Sequence, residues 1–394
     1  METLERLLAA GRTREARAQA QKRLKAKPND RDALLALVKV ELMLGELQSA
    51  QQKLERLEKQ GETVDTVVAR ANLAVQGGDG KKARSLFEKA VGMRPERAEA
   101  FFGLGVVLAA GDEYQASLPM FERAVALAPG QGVFHYHLAQ NLLALERPED
   151  AARHGTLAVE RNPAYPPAYL LLSRMLGVVG RLEDARAVLK EGLRLLPSDP
   201  RLMAALTNVN LVGGDVGGAF QAAATLAKDH PADPAAMCNL ASLLLAQNRL
   251  PEVLEICRGM ESMGKATAPL KCLEATVYEA QKPLDQAKVI KTYERAMALD
   301  ASDWVSANNL GQFLMRMKDE ALVPRAIEVL EQATKRKPDQ LEPVLNLALA
   351  YARHNDVKKA RELASRLLDV KLPATSPLRR QAEKLLAALG KLKH

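Results

Sequence analysis

Prolines recur in this chain at a fixed interval. Pro95, Pro129, Pro163, Pro197 and Pro231 each follow the last by 34 residues, and Pro28, Pro338 and Pro373 extend the series towards the two ends. Small or apolar residues keep the same beat: Ala16, Ala50, Ala83, Ser117, Ala151, Ala185, Ala219 and Val253, then Ala326 and Ala360. A unit this short cannot bury its own apolar face and must stack on its neighbours, so the 394 residues form an array of modules and not a single globular core.

Each module reads as two helices. Between Pro166 and Asp199, Tyr169, Leu172 and Leu176 mark one apolar stripe, and Leu182, Ala185, Leu189 and Leu193 a second. Both follow helical spacing. Gly180 and Arg181 supply the turn between them, and Pro197 ends the second helix because it cannot continue the hydrogen-bond ladder. Aromatic residues make up only 4% of the chain, so its core is mainly aliphatic, which favours helices over the aromatic- and β-branched-rich strands of sheets.

These residues resemble the tetratricopeptide repeat. That family places a large apolar residue at repeat position 4, Leu at 7, small residues at 8, 20 and 27, an aromatic or Leu at 24 and Pro at 32. Asn309-Leu310-Gly311 and Gly103-Leu104-Gly105 match positions 6 to 8, while Phe121-Glu122-Arg123-Ala124 and Tyr293-Glu294-Arg295-Ala296 match 24 to 27. Units begin near residues 31, 65, 98, 132, 166, 200, 234, 268, 304 and 341, with a partial unit before them and a capping helix over Ser376–Leu392. The resemblance implies an all-α fold: a right-handed α-solenoid, or superhelix, of about eleven helix-turn-helix repeats with a C-terminal cap. We expect a partial or capping repeat over 1–30, a regular array over 31–263, irregular repeats over 264–325, and a last repeat with its cap over 326–394. The phase is ambiguous around Gly264 to Pro269, and extra residues from Lys318 to Arg325 lengthen one repeat to 38. No tryptophan stands at position 4, where Leu34, Phe101, His135, Tyr169, Met203 and Met237 are found.

The formal charge of +8 is concentrated at the ends. Residues 1–30 hold eight Lys/Arg against four Asp/Glu and 353–394 hold eleven against four, which leaves the middle slightly acidic and argues against a groove for nucleic acid. No window is apolar enough for a membrane span, and Met1 to Lys27 carries charge every few residues where a secretory signal would have an apolar run. A cytoplasmic location is expected, or a periplasmic or envelope-associated one if an N-terminal signal has been removed; the Ala-, Leu- and Arg-rich composition suggests a bacterial source. Cys238, Cys257 and Cys272 lack disulfide or zinc spacing. His135 and His137 point about 200° apart on one helix, and His154, His230, His354 and His394 are scattered among different units. With no catalytic or nucleotide-binding motif either, no enzymatic activity, cofactor or metal is expected.

Recognition by surface remains. The first helix of each unit is expected to line a concave face through positions 2, 5, 9 and 12, with position 6 beside them. Phe102, Tyr136, Leu143 and Leu170 form an apolar and aromatic stripe beside Gln140 and Arg174, suited to apolar side chains and an acidic group of a partner segment. Asn208, Asn239, Asn308 and Asn309, with Ser242 and Gln312, offer side chains that can hydrogen-bond a peptide backbone. The carboxylate clamp of Hsp70/Hsp90 co-chaperones is incomplete: Asn208 and Asn239 match its asparagines, but Ala204 stands where a lysine is needed. We therefore expect a protein-interaction scaffold that binds a partner polypeptide, with self-association through the terminal repeats as a further possibility. The alternative is a regulatory or accessory subunit of an enzyme or of an envelope or secretion assembly system, such as a peptide-sensing switch or a glycosyltransferase partner.

Overall fold

The computed structural model describes residues 3–9, 11–370, 373 and 375–391. Among them are 23 α-helices, one 3₁₀ turn and no strand. The chain divides into two compact units, Met1–Ala219 and Phe220–His394.

In the first unit the helices are α1 (Leu4–Ala9), α2 (Thr13–Ala26), α3 (Arg31–Met43), α4 (Leu47–Glu58), α5 (Val64–Gln76), α6 (Gly80–Met93), α7 (Ala98–Ala110), α8 (Tyr114–Leu127), α9 (Gly132–Ala144), α10 (Pro148–Arg161), α11 (Pro166–Val178), α12 (Leu182–Leu195) and α13 (Pro200–Val212). Helix α14 (Val216–Asp229) spans the division. The second unit continues with α15 (Pro234–Ala246), α16 (Leu250–Ser262), α17 (Ala268–Ala280), α18 (Gln286–Leu299), α19 (Trp304–Arg316), α20 (Val323–Arg336), α21 (Leu341–Arg353), α22 (Val357–Asp369) and α23 (Pro377–Lys391). The helices α1 to α22 make eleven successive pairs, an α-solenoid of the expected kind. The expected cap is present as α23, although Leu392 lies outside the described residues, as does His394.

The first helices start every 34 residues from Val64 to Ala268, so the ambiguity near 264 does not shift the register there. The extra length is spread over two repeats instead of one. Residues 281–285 lengthen the connection between α17 and α18, and a 3₁₀ turn, Glu320–Leu322, enters between α19 and α20. Steps of 36 and 37 residues follow in place of a single 38.

One backbone feature explains why the other repeats keep time. The hairpin turn needs a left-handed residue at repeat position 15, and this is Gly45, Gly78, Gly180 and Gly214 in four units. Asp112, Glu146, Asn248 and Asn355 adopt the same positive φ in four others. Small residues at positions 8 and 27 mark close helix approach: a Cβ on Gly105 would lie 2.9 Å from the Phe121 ring, and one on Gly192 2.9 Å from Tyr169. Ala151 and Ala185, at position 20, are wholly buried among Phe121, Leu138, Leu172 and Met175. In the second unit α23 closes the stack by burying Ala382, Leu385 and Leu389.

Candidate partner-binding surface

In each unit the first helices of successive hairpins lie side by side, α3, α5, α7, α9, α11 and α13 in one and α15, α17, α19 and α21 in the other. Residues at one repeat position therefore align into a file across the hairpins.

The first unit brings most of the expected patch together. Phe102 on α7 stacks on Phe134 of α9, with ring centroids 4.5 Å apart and 24° between planes. His137 stands edge-on to Phe102 at 5.1 Å and to Tyr136 at 5.2 Å. Tyr136 meets Tyr165, the residue before α11, edge-on at 5.3 Å. Gln140, one turn along α9, donates its amide N–H to the Tyr136 hydroxyl at 3.0 Å. Phe102, Tyr136, Leu143 and Leu170 are each half-buried, so part of every side chain faces outward. Arg174 is exposed and makes no ion pair among the described residues. Burial is the main cause that raises the Tyr136 pKa; Tyr165 adds to it and the Arg174 guanidinium opposes it, which places that cation within electrostatic reach of the phenol. Phe134 and Tyr165 were not anticipated. The available signal was local: eight of the fifteen Phe, Tyr and Trp residues fall between 101 and 169.

The asparagine row fares differently. Asn208, in the first unit, is exposed and has no hydrogen-bond partner among the described residues. In the second unit Asn239 is half-buried, and exposed Ser242 donates to the Cys238 carbonyl at 2.8 Å. Asn308 does not face outward as expected: it is 2% exposed, and its amide oxygen accepts from Asn346 at 2.8 Å. Asn309 donates to the Cys272 thiol at 3.4 Å, and Gln312 to Glu342 at 3.0 Å. These three side chains hold neighbouring hairpins to one another.

Two polar clusters escaped the sequence reading. His135 and His154 belong to one hairpin, and their Nδ1 atoms meet at 3.0 Å. The His135 Nε2 atom lies 3.1 Å from the Pro129 carbonyl, which can only accept, so Nε2 carries a proton, and one of the two Nδ1 atoms donates to the other. The ring centroids are 5.3 Å apart with 22° between planes, a head-on hydrogen bond with no room for an ion between. In the second unit Lys271 is buried between Glu261, at 2.5 Å, and Glu274, at 2.6 Å. Among the described residues no group of three or more His, Cys, Asp or Glu could hold a metal ion, and no helix is long and apolar enough to cross a membrane. Burial raises the pKa of all three thiols, Cys257 to about 12. That is the environment of an inert sulfur, not of a nucleophile.

In the first unit the face of stacked first helices thus carries half-exposed rings, the Asn208 amide and the Arg174 guanidinium, the last two without a partner among the described residues. Tetratricopeptide-repeat family models match residues 4–63, 68–132, 142–209 and 322–377, and the chain belongs to that family. It is 31% identical over 153 residues to Protein STIP1 homolog from Dictyostelium discoideum, a match that covers 39% of this chain and 24% of that protein's length. The yeast Tom70 crystal structure shares the fold over 98% of this chain and 94% of its own, at 13% identity and a TM-score of 0.56. YrrB, described as a TPR protein with an unusual peptide-binding site, aligns over 49% of this chain and 96% of its own, at 21% identity and a TM-score of 0.40.

Proposed function

We propose that the protein is a non-enzymatic scaffold whose first-helix face holds a segment of a partner polypeptide, with the contact centred on α7, α9 and α11 of the first unit. The observation that carries this reading is the half-exposed patch of Phe102, Tyr136, Leu143 and Leu170 beside an unpaired Arg174. Aromatic side chains next to an arginine are the usual composition of a binding hot spot, and the leucines beside them add apolar area. Gln140 keeps a second amide hydrogen and its carbonyl for a bound backbone, while Asn208 keeps its whole amide. Asn239 and Ser242 supply a smaller polar surface in the second unit. Asn308, Asn309 and Gln312 serve the array itself.

Replacing Tyr136 and Arg174 together by Ala tests the reading, because each side chain lies on the outward side of its own first helix, half-buried Tyr136 on α9 and exposed Arg174 on α11. Capture of the partner in a pull-down should fall at least tenfold, while far-UV circular dichroism stays at the wild-type value. Unchanged capture with intact helicity would move the binding site elsewhere.

A further inference from the structure

His137 lies at the centre of the aromatic patch. Phe121 of α8 is nearly parallel to it at 6.1 Å, with 19° between planes, and Phe102 of α7 and Tyr136 stand edge-on. The side chain is half-buried and makes no hydrogen bond or ion pair among the described residues. Its ring nitrogens are not shut off from water.

The helices packed against α9 bring this ring no counter-charge. The one charged residue of α7 is Glu99, which lies 3.0 Å from Arg97. On α8, Glu122 and Arg123 are exposed, and the Tyr114 phenol donates to Asp112 at 2.8 Å. On α10, Asp150 pairs with Arg147 and Arg153, and His154 meets His135; Glu149, Glu160 and Arg161 are exposed. The one charged residue of α11 is Arg174, a second cation, and its Tyr169 phenol donates to the Pro163 carbonyl at 3.1 Å. Tyr165, ahead of α11, meets Tyr136 and is neutral at pH 7. Burial accordingly lowers the His137 pKa with no carboxylate to offset it.

We infer that His137 makes partner binding at this patch acid-sensitive: the neutral imidazole admits an apolar side chain onto the surrounding rings, and the imidazolium excludes it. The inference rests on the partner-binding reading above. An apolar side chain set on Phe102 and Tyr136 displaces the water that serves the His137 nitrogens. A neutral imidazole then loses hydration at one donor and one acceptor, whereas an imidazolium would keep two N–H donors and a full charge stripped of water, which costs far more. Partner and proton therefore compete, and each lowers the affinity for the other by the same factor. Affinity is full above about pH 6.5 and falls as acid is added, by at most about tenfold at pH 5.5.

The probe is an N-terminally acetylated peptide, the leader of a selection at pH 7.5 on the full chain from a random 16-residue library without histidine or cysteine. Its carboxylates stay ionised down to about pH 5.5, so its own charge is nearly constant over the range measured. Its affinity for the wild-type chain should fall between about two- and tenfold from pH 7.5 to 5.5. His137→Phe keeps a ring in the patch and removes the titration, so its affinity should stay level, and retained binding at pH 5.5 would show that the fold persists there. In the wild-type chain labelled with carbon-13 at histidine, the His137 resonance should titrate at lower pH in the complex than in the free protein. Affinity that is flat or rises in acid, a slope that survives His137→Phe, or a His137 pKa that is not lowered by the peptide would each overturn the inference and leave partner binding in place. A peptide that binds the Tyr136→Ala/Arg174→Ala variant as tightly as wild type, or a selection that enriches nothing, would overturn both readings.

Discussion

Lys271 offers the most quantitative test of how the second unit is held together. It stands at repeat position 4, where the family places a large apolar side chain, and its side chain is 4% exposed. Burial works against its charge, but hydrogen bonds and charge from Glu261 and Glu274 hold its pKa above the ordinary lysine value. Lys271→Met would fill the same space and leave the Glu274 carboxylate, 8% exposed, with the Tyr278 hydroxyl at 2.8 Å as its remaining partner. Breaking a buried pair by removing one member costs about 3–5 kcal/mol. The carboxylate can escape by taking up a proton, and holding an ordinary glutamic acid protonated at pH 7 costs about 3.7 kcal/mol. The penalty is therefore about 3–4 kcal/mol at pH 7 and shrinks by about 1.4 kcal/mol per pH unit as the pH falls, to about 1 kcal/mol at pH 5. Adding Glu274→Leu should recover most of it, since Glu261 keeps Arg295. Trp304, the chain's single tryptophan, begins α19 in the same unit, and its fluorescence can follow urea unfolding at pH 5, 6 and 7. A penalty that is equal at pH 5 and pH 7 would show that lost packing, not a stranded charge, destabilises the variant.

Three further outcomes follow from the first unit. Ala185→Glu, at a site with no exposure, should cost about 3–5 kcal/mol by thermal unfolding, through overpacking and an unpaired buried charge; a wild-type melting curve would contradict the assigned repeat phase. Glu146→Gly should stabilise by about 1 kcal/mol in urea, because a side chain at φ 57° is strained and glycine is not. Burial holds the pKa of His137 below the ordinary histidine value; that of His154 is lowered first by burial, then by His135 and Arg153. The folded unit thus binds fewer protons than the unfolded chain below about pH 6.5, so its stability is full above that pH and falls as acid is added, by at most about 1.4 kcal/mol per unit for each histidine. His137→Phe should flatten part of that slope in urea melts between pH 7.5 and 5.

The periodic residues disclosed nearly all of the backbone. Pro95 to Pro231, the alanines at position 20 and the glycines of the turns each do one steric job that no other residue does as well, so their spacing reports helix ends and close approaches directly. Side-chain partnerships were less legible, because they depend on how two helices are rotated against each other. His135 and His154 are 19 residues apart, and only the closing of α9 on α10 puts their rings head to head. Asn308 is turned inward because Asn346 reaches it from the next hairpin, a pairing that two lengthened repeats hide from simple position counting. The aromatic patch was half visible: Phe102 and Tyr136 lie on the predicted face, but Phe134 and Tyr165 reach it from a buried helix position and from a loop.

A photocrosslinker tests by position our proposal that a partner lies on the first-helix face of the first unit. The amino acid p-benzoylphenylalanine would be placed in the full chain at Gln140 or Arg174, on that face, and at Glu160, an exposed residue of the second helix α10. Irradiation in the native cell should give a shared adduct from 140 and 174 and none from 160. Adducts from 160 alone, or an equal yield from all three, would contradict it.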